Sequence, residues 1–408
     1  INEALMDVLS MNLPNMTVVN ASVLGGLLAG KLMEKAGGRF SKVVYANSGS
    51  EATEVALRFA RQVTNRRRFL YMEGSFHGRS YGAISVCGWD DMRVGVEPAM
   101  PTCTPIVPGD LRQLRRELKT GDVAAVIFEP LQGMTGELID ASYLREAEAL
   151  CEQYGTLLIA DEVQAGLCRC GEWFLSTSWG VRPHIMTTSK ALSGGQVPVA
   201  AVLVDEGVYD NVYSGFSSGL MYFSTFAENN LAMAAGLATL ELLDEMDANG
   251  MAKEKGAYIR KGLEDIKERY DCIDRITGTG LMQAIYFKDS AQPQLAAQQK
   301  AMMAVDGGAF AAAVNVDMFK RQKILIQIPG PGVNAVKILP PATCTQEDLD
   351  YFLNSFEDTI AQFYGRKGPV VSLVGGVVEN VGKSLGKFLP PGLVSKDLEE
   401  KKTSPSVS

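Results

Sequence analysis

Residues 122–163 read DVAAVIFEPLQGMTGELIDASYLREAEALCEQYGTLLIADEV. The stretch opens with six consecutive apolar residues, Val123–Phe128, a length and composition that suit a strand buried on both faces. SYLREAEALCEQYG follows as an amphipathic helix that Gly155 closes. TLLIADEV then begins a second apolar strand. Strand, helix, strand is the signature of a parallel crossover.

Working outward, Val43–Ala46 reads as a strand leading into a helix over about 50–62, and the segment RRRFLYM ends in another strand. This alternation predicts a mainly parallel central sheet flanked by helices, with ligands beyond the carboxyl ends of the strands. After about residue 235 the pattern changes. A long helix, NLAMAAGLATLELLDEM, precedes a second near 253–269, short strands at LMQAIYF and AVKILPP, and a final helix, QEDLDYFLNSFEDTIAQFY. We therefore expect an N-terminal helical segment (1–40), a large α/β domain (41–235), a smaller C-terminal α+β domain (236–365) and a tail or linker (366–408). Within the tail, Val370, Val374, Val377, Val381, Leu385 and Phe388 recur at helical spacing in an otherwise linker-like composition.

Composition narrows the function classes. With 408 residues and 46% hydrophobic content, the chain can bury a large core in two or three domains. Its 39 Lys plus Arg against 47 Asp plus Glu leave a net charge of −8, and no basic run is long enough to track a phosphate backbone. No nucleic acid partner is expected. The seven cysteines are scattered, and Cys168 and Cys170 stand too close for the usual zinc or redox pairs, which points to a reducing, cytoplasmic setting. With only His77 and His184 present, no histidine-built metal site is expected. No run reaches the roughly 18 apolar residues of a membrane span.

Glu129 stands at the end of one apolar strand and Asp161 and Glu162 at the end of the next, so they face the ligand crevice of a parallel sheet. A strand-end Asp also serves as a helix cap. Lys190 follows in TTSKALSGG, an isolated cation among small residues. An amine attacks a carbonyl only after losing its proton, which desolvation or neighbouring cations promote. A lone lysine is otherwise a surface residue. Ser48-Gly49-Ser50, between a strand and a helix, offers free N–H groups suited to a phosphate, although either serine could be a plain N-cap.

Six segments occur in order: YANSGSEATEVALRFAR, GSFHGRSYGAISVCG, VIFEPLQG, LLIADEVQAGLCRCG, TTSKALSGG and STFAENNLAMAAGLATLE. The series resembles the class III aminotransferases, fold-type-I enzymes dependent on pyridoxal 5'-phosphate (PLP) that act on ornithine, acetylornithine, 4-aminobutyrate or putrescine. The resemblance covers about residues 1–363. It implies that Lys190 forms the internal aldimine and shuttles the proton, and that Asp161 pairs with the pyridine nitrogen. It also implies that Val163 and Phe76 flank the ring and that Gln164 bonds the ring hydroxyl. Gly49 and Ser50 would cradle the phosphate, with Thr225 reaching it from the partner of a homodimer. Glu129 would stand behind the ring hydroxyl and His77 would support the pocket wall.

The pattern departs from the family where substrate is chosen. Met134 and Lys337 stand where ornithine- and aminobutyrate-type members carry a gating Glu and Arg. A lysine cannot reproduce the bidentate grip of an arginine on a carboxylate. Lys337 then either binds a carboxylate as a point charge or sits at the domain edge, and Arg79 is a second candidate for that contact. Losing the acid favours an amine or aldehyde of some hydrophobic character over ornithine. The family's preceding N-terminal part is absent before Ile1, so we expect one domain of a larger multidomain protein. The implied activity is transfer of an amino group from a primary amine or amino acid to an oxo acid or aldehyde. Alternatives are a decarboxylase, aminomutase or racemase of the same fold, or a non-catalytic dimerisation or scaffold domain.

Overall fold

The computed structural model describes residues 1–15, 22–96, 99–100, 102–215 and 222–365. The tail expected over 366–408, with its apolar repeat from Val370 to Phe388, lies outside the described residues.

The main sheet has seven strands: β1 (Phe40–Ala46), β2 (Arg68–Met72), β3 (Cys103–Ile106), β4 (Val123–Phe128), β5 (Leu157–Asp161), β6 (Ile185–Thr188) and β7 (Ala200–Asp205). Their spatial order is β1-β7-β6-β5-β4-β2-β3. From β3 through β6 all neighbours are parallel, whereas β7 runs antiparallel to both β6 and β1. Every residue of β4 and β5 is buried, as expected for central strands covered on both faces.

Period-two alternation divides the strand residues between two cores. Val126, Phe128 and Leu158 pack against Leu144, Ala147 and Cys151 of the helix Ala141–Tyr154. Ala125, Ile127 and Ile159 face Val55, Ala56 and Phe59 of the helix Gly49–Thr64 on the other side. The helix Ala141–Tyr154 begins where Asp140 accepts the N–H groups of Ser142 and Tyr143, and ends at Gly155, whose φ of 60° is the left-handed stop expected there.

A second, antiparallel sheet comprises β8 (Ile273–Thr279), β9 (Met282–Phe287) and β10 (Ala335–Ile338), in the order β10-β9-β8. Its core joins Ile285 and Val336 to Ile259 and Leu263 of the helix Ala248–Arg269 and to Phe356 and Ile360 of the helix Gln346–Tyr364. The helix Asn230–Glu245 crosses the boundary expected at 235/236 without a break, because Met233 and Leu240 share one cluster with Leu28 and Leu32 of the helix Val23–Ala36. Among the described residues, no helix is long and apolar enough to cross a membrane.

Candidate active site

Because β1, β4, β5 and β6 run the same way, the residues that follow them gather at one edge of the sheet. Asn47–Gly49 follow β1, Glu129 follows β4, Asp161 ends β5, and Ser189 and Lys190 follow β6.

Asp161 is buried. Its Oδ1 accepts the Val163 N–H at 3.0 Å and the Thr187 hydroxyl at 3.2 Å, while His77 Nδ1 lies 2.7 Å from Oδ2. His77 is buried too, and its Nε2 has no hydrogen-bond partner among the described residues. Glu129 accepts the N–H of Phe76 at 2.8 Å and of Gly133 at 2.7 Å. Burial pushes its carboxyl up to about 7; the Asp161 charge adds to the rise, and His77 and the two N–H donors oppose it.

Lys190 opens a 3-10 turn, Lys190–Ser193, with a left-handed φ of 40°, unusual for a residue with a Cβ. Its Nζ donates to Gln164 Oε1 at 2.8 Å. Part of the side chain is open to the crevice, but desolvation of the amine lowers its pKa, Arg169 acts in the same sense, and Glu129 and Asp161 oppose.

At the β1 junction the choice between the two serines is settled. Ser48 is the N-cap, accepting the Glu51 N–H at 3.2 Å. Ser50 Oγ instead accepts the N–H groups of Arg79 at 3.1 Å and Ser80 at 3.0 Å. Two glycines permit this closeness: a Cβ at Gly49 would stand 2.9 Å from Val163 Cγ1, and one at Gly78 2.4 Å from Ser50 Oγ. Segments 48–50, 76–80, 161–164 and 189–190 thus form one contiguous site. Asn47 donates to Ser224 Oγ at 2.7 Å and Tyr222 to Glu51 at 3.0 Å, which brings the segment before Thr225 to the same junction within one chain. Thr225 itself is exposed.

The substrate candidates divide. Arg79 is exposed, its guanidinium 5.9 Å from the centre of the Phe76 ring. Met134 is half-buried in the turn after Gly133. Lys337 is buried in β10, and its ammonium donates to the Gly133 carbonyl. Burial, with Lys190 in the same sense and Glu129 against, brings Lys337 down to about 8. The sequence reading passed over Arg169, whose guanidinium donates to the carbonyls of Leu281 and Pro340, with no carboxylate ion-paired to it among the described residues. The isolated Arg between two cysteines in GLCRCG was its only signal.

These residues suit PLP. The site offers an amine depressed by desolvation, a buried carboxylate, a buried ring nitrogen without a partner, and a first-turn N–H cluster whose Gly49 leaves room that a Cβ would fill.

Residues 1–360 match the family model described as aminotransferase class-III. The chain is 30% identical over 360 residues to aminotransferase PigE of Serratia sp. (strain ATCC 39006), across 81% of this chain and 42% of that protein. It is 33% identical over 352 residues to putrescine aminotransferase of Pectobacterium atrosepticum, across 84% of this chain and 70% of that protein. Among solved structures, an amine transaminase from an uncultivated Pseudomonas species, in its PLP-bound internal aldimine form, superposes with a TM-score of 0.75 at 27% identity. That match covers 88% of this chain and 86% of the other. The chain therefore spans less than half the length of the PigE relative.

Proposed function

The chain belongs to the class-III aminotransferases, a PLP-dependent family, and from that premise we propose that it transfers an amino group from a primary amine or amino acid to an oxo acid or aldehyde. Bound PLP supplies an aldehyde that captures amines and a cationic ring that accepts electron density from the carbon losing its proton. Lys190 Nζ would hold the cofactor and would be the base that moves the proton at the amine-bearing carbon. The Asp161 carboxylate would keep the ring nitrogen protonated, and His77 Nδ1, 2.7 Å from Oδ2, orients that carboxylate. Phe76 and Val163 would flank the ring and exclude water. Gln164 would bond the ring hydroxyl, and Glu129 keeps Phe76 and Gly133 in place through the two N–H groups it accepts. Gly49 and Ser50 would hold the phosphate from the helix N-terminus.

One observation carries this reading: an amine with a lowered pKa follows β6, beside the buried Asp161 carboxylate that ends β5. Borohydride reduction of the loaded chain, followed by peptide mapping, should place a pyridoxyl group on Lys190. Finding none there would sink the proposal. A donor and acceptor panel then separates transamination from decarboxylation, aminomutation and racemisation, because only transamination needs an added carbonyl acceptor.

Met134, where ornithine- and aminobutyrate-type members carry a gating acid, supports donors or acceptors with an apolar portion. Arg79, exposed beside Phe76, is the better placed cation for a substrate carboxylate, since Lys337 already engages Gly133. A homodimer is the proposed assembly, with Thr225 contributed across its interface. The helix Asn2–Ser10 buries none of its residues, and Met6, Leu9, Met11, Leu27 and Phe226 present an exposed apolar surface. All seven cysteines are unpaired, which supports a reducing, cytoplasmic setting.

A further inference from the structure

Between β4 and the helix Ala141–Tyr154 the chain makes a tongue, closed by the bridge Leu131↔Leu138 and by the Gln132 N–H on the Glu137 carbonyl at 2.9 Å. Each strand of the small sheet grips it. Arg275 of β8 pairs with Glu137 at 2.7 Å. From β9, the Tyr286 hydroxyl donates to the Thr135 carbonyl at 2.7 Å, and Ala284 leaves no space beside Gly136, where a Cβ would come within 2.6 Å. Lys337 of β10 donates to the Gly133 carbonyl. The tongue's other side meets the site. The Gly133 N–H is on Glu129 Oε2, and a Cβ at Gly133 would stand 2.5 Å from Gln164 Oε1, the atom that accepts the Lys190 amine.

We propose that Lys337 is a positioning residue: its ammonium seats Gly133 against Gln164 and thereby directs the Gln164 carbonyl oxygen at Lys190. A buried ammonium with no ion-paired carboxylate needs acceptors for its three N–H groups, and the Gly133 carbonyl is the one the fold provides among the described residues. That need ties β10 to the tongue, and the tongue confines the Gln164 amide. Lys337 thus acts on Lys190 through two intermediaries. This rests on the role proposed above for Lys190.

Two effects of removing Lys337 have opposite signs. Losing a neighbouring cation raises the pKa of Lys190, whereas losing the acceptor that steadies its ammonium lowers it. Glu129 and Asp161 hold it up and Arg169 holds it down; Lys337→Met leaves all three in place, whereas a Cβ at Gly133 would also stand 2.9 Å from Glu129 Oε2, so the Lys337 variants carry the test and Gly133→Ala supports it. The experiment is competitive acetylation of Lys190 across pH on the full chain stripped of cofactor, read by mass spectrometry. In Lys337→Met the midpoint should fall by about half a unit or more, roughly a threefold gain in labelling below the midpoint. Gly133→Ala, which keeps the Lys337 charge and displaces Gln164, should shift it the same way, and Lys337→Arg should restore it. In a Gln164→Leu background, Lys337→Met should add no further fall. A rise in Lys337→Met would show direct charge repulsion instead, and an unchanged midpoint would show a purely structural lysine; either overturns the proposal. A wild-type chain that never forms a pyridoxyl adduct at Lys190 would defeat the proposed function separately, because the acetylation midpoints need no cofactor.

Discussion

His77 Nδ1 and Asp161 Oδ2 lie 2.7 Å apart in a site where both side chains are buried, and Asp161 Oδ1 is already occupied by Val163 N–H and the Thr187 hydroxyl. The carboxylate is therefore held in one orientation from three elements. Asp161→Asn keeps its shape and removes its charge, so kcat should drop about a hundredfold or more, by analogy with the removal of a preorganised electrostatic group. His77→Ala leaves the charge but frees Oδ2, and a smaller loss of about tenfold is expected. Steady-state kinetics on both variants decide the order; an Asp161→Asn enzyme with near wild-type kcat would refute it.

The left-handed φ of 40° at Lys190 predicts a stability effect independent of catalysis. In unliganded chains, Lys190→Gly should be more stable than Lys190→Ala by about 0.5–1 kcal/mol, because glycine adopts that conformation without Cβ strain. Both should lose transaminase activity. Thermal unfolding makes the comparison, and an alanine variant at least as stable as the glycine one would show the turn to be unstrained.

Glu162 follows Asp161 but turns away from the crevice: its Oε1 accepts the N–H and hydroxyl of Ser176 at 2.6 and 2.7 Å, and its buried Oε2 has no partner among the described residues. Burial pushes its carboxyl up to about 7, from an unfolded value near 4.5. The native chain thus binds more protons than the unfolded chain in that window, and this group's contribution to stability falls as pH rises from about 4.5 to 7. Glu162→Gln should flatten the decline in melting temperature between pH 5 and 7.5. An equally steep decline in the variant would assign it to other groups.

Leu27 is 56% exposed on the helix Val23–Ala36, whose other face is buried against the helix Asn230–Glu245, and it belongs to the surface proposed above for a second copy. Leu27→Asp should convert a dimer to a monomer in analytical ultracentrifugation and lower cofactor retention if Thr225 acts across the interface. A wild-type chain that sediments as a monomer at micromolar concentration would remove the basis for that role.

Much of the frame was legible because its signals are local. Val123–Phe128 and Leu157–Ala160 are uninterrupted apolar runs, Gly155 marks a helix end, and the period-3.6 pattern from Ala52 to Ala60 needs no distant information. β6 and β7 were not singled out: β6 is four residues with two threonines, and only a 3-10 turn and a short loop separate it from β7, so the alternation that marks the other strands is missing. The antiparallel insertion of β7 between β6 and β1 is accordingly visible only in the structure.

The ordered motifs of this chain carry by themselves the resemblance that assigns Lys190, Asp161 and the Ser48–Ser50 turn to one kind of chemistry, and a parallel sheet brings strand-end residues of this sort to one edge wherever it forms. Only the tertiary structure decided which serine caps the helix, that His77 Nδ1 meets Asp161, and that Lys337 spends its ammonium on the Gly133 carbonyl. Those outcomes depend on groups from 29 to 204 positions apart in the chain coming within hydrogen-bond range. No local propensity encodes such distances; the packing of elements far apart in the chain does.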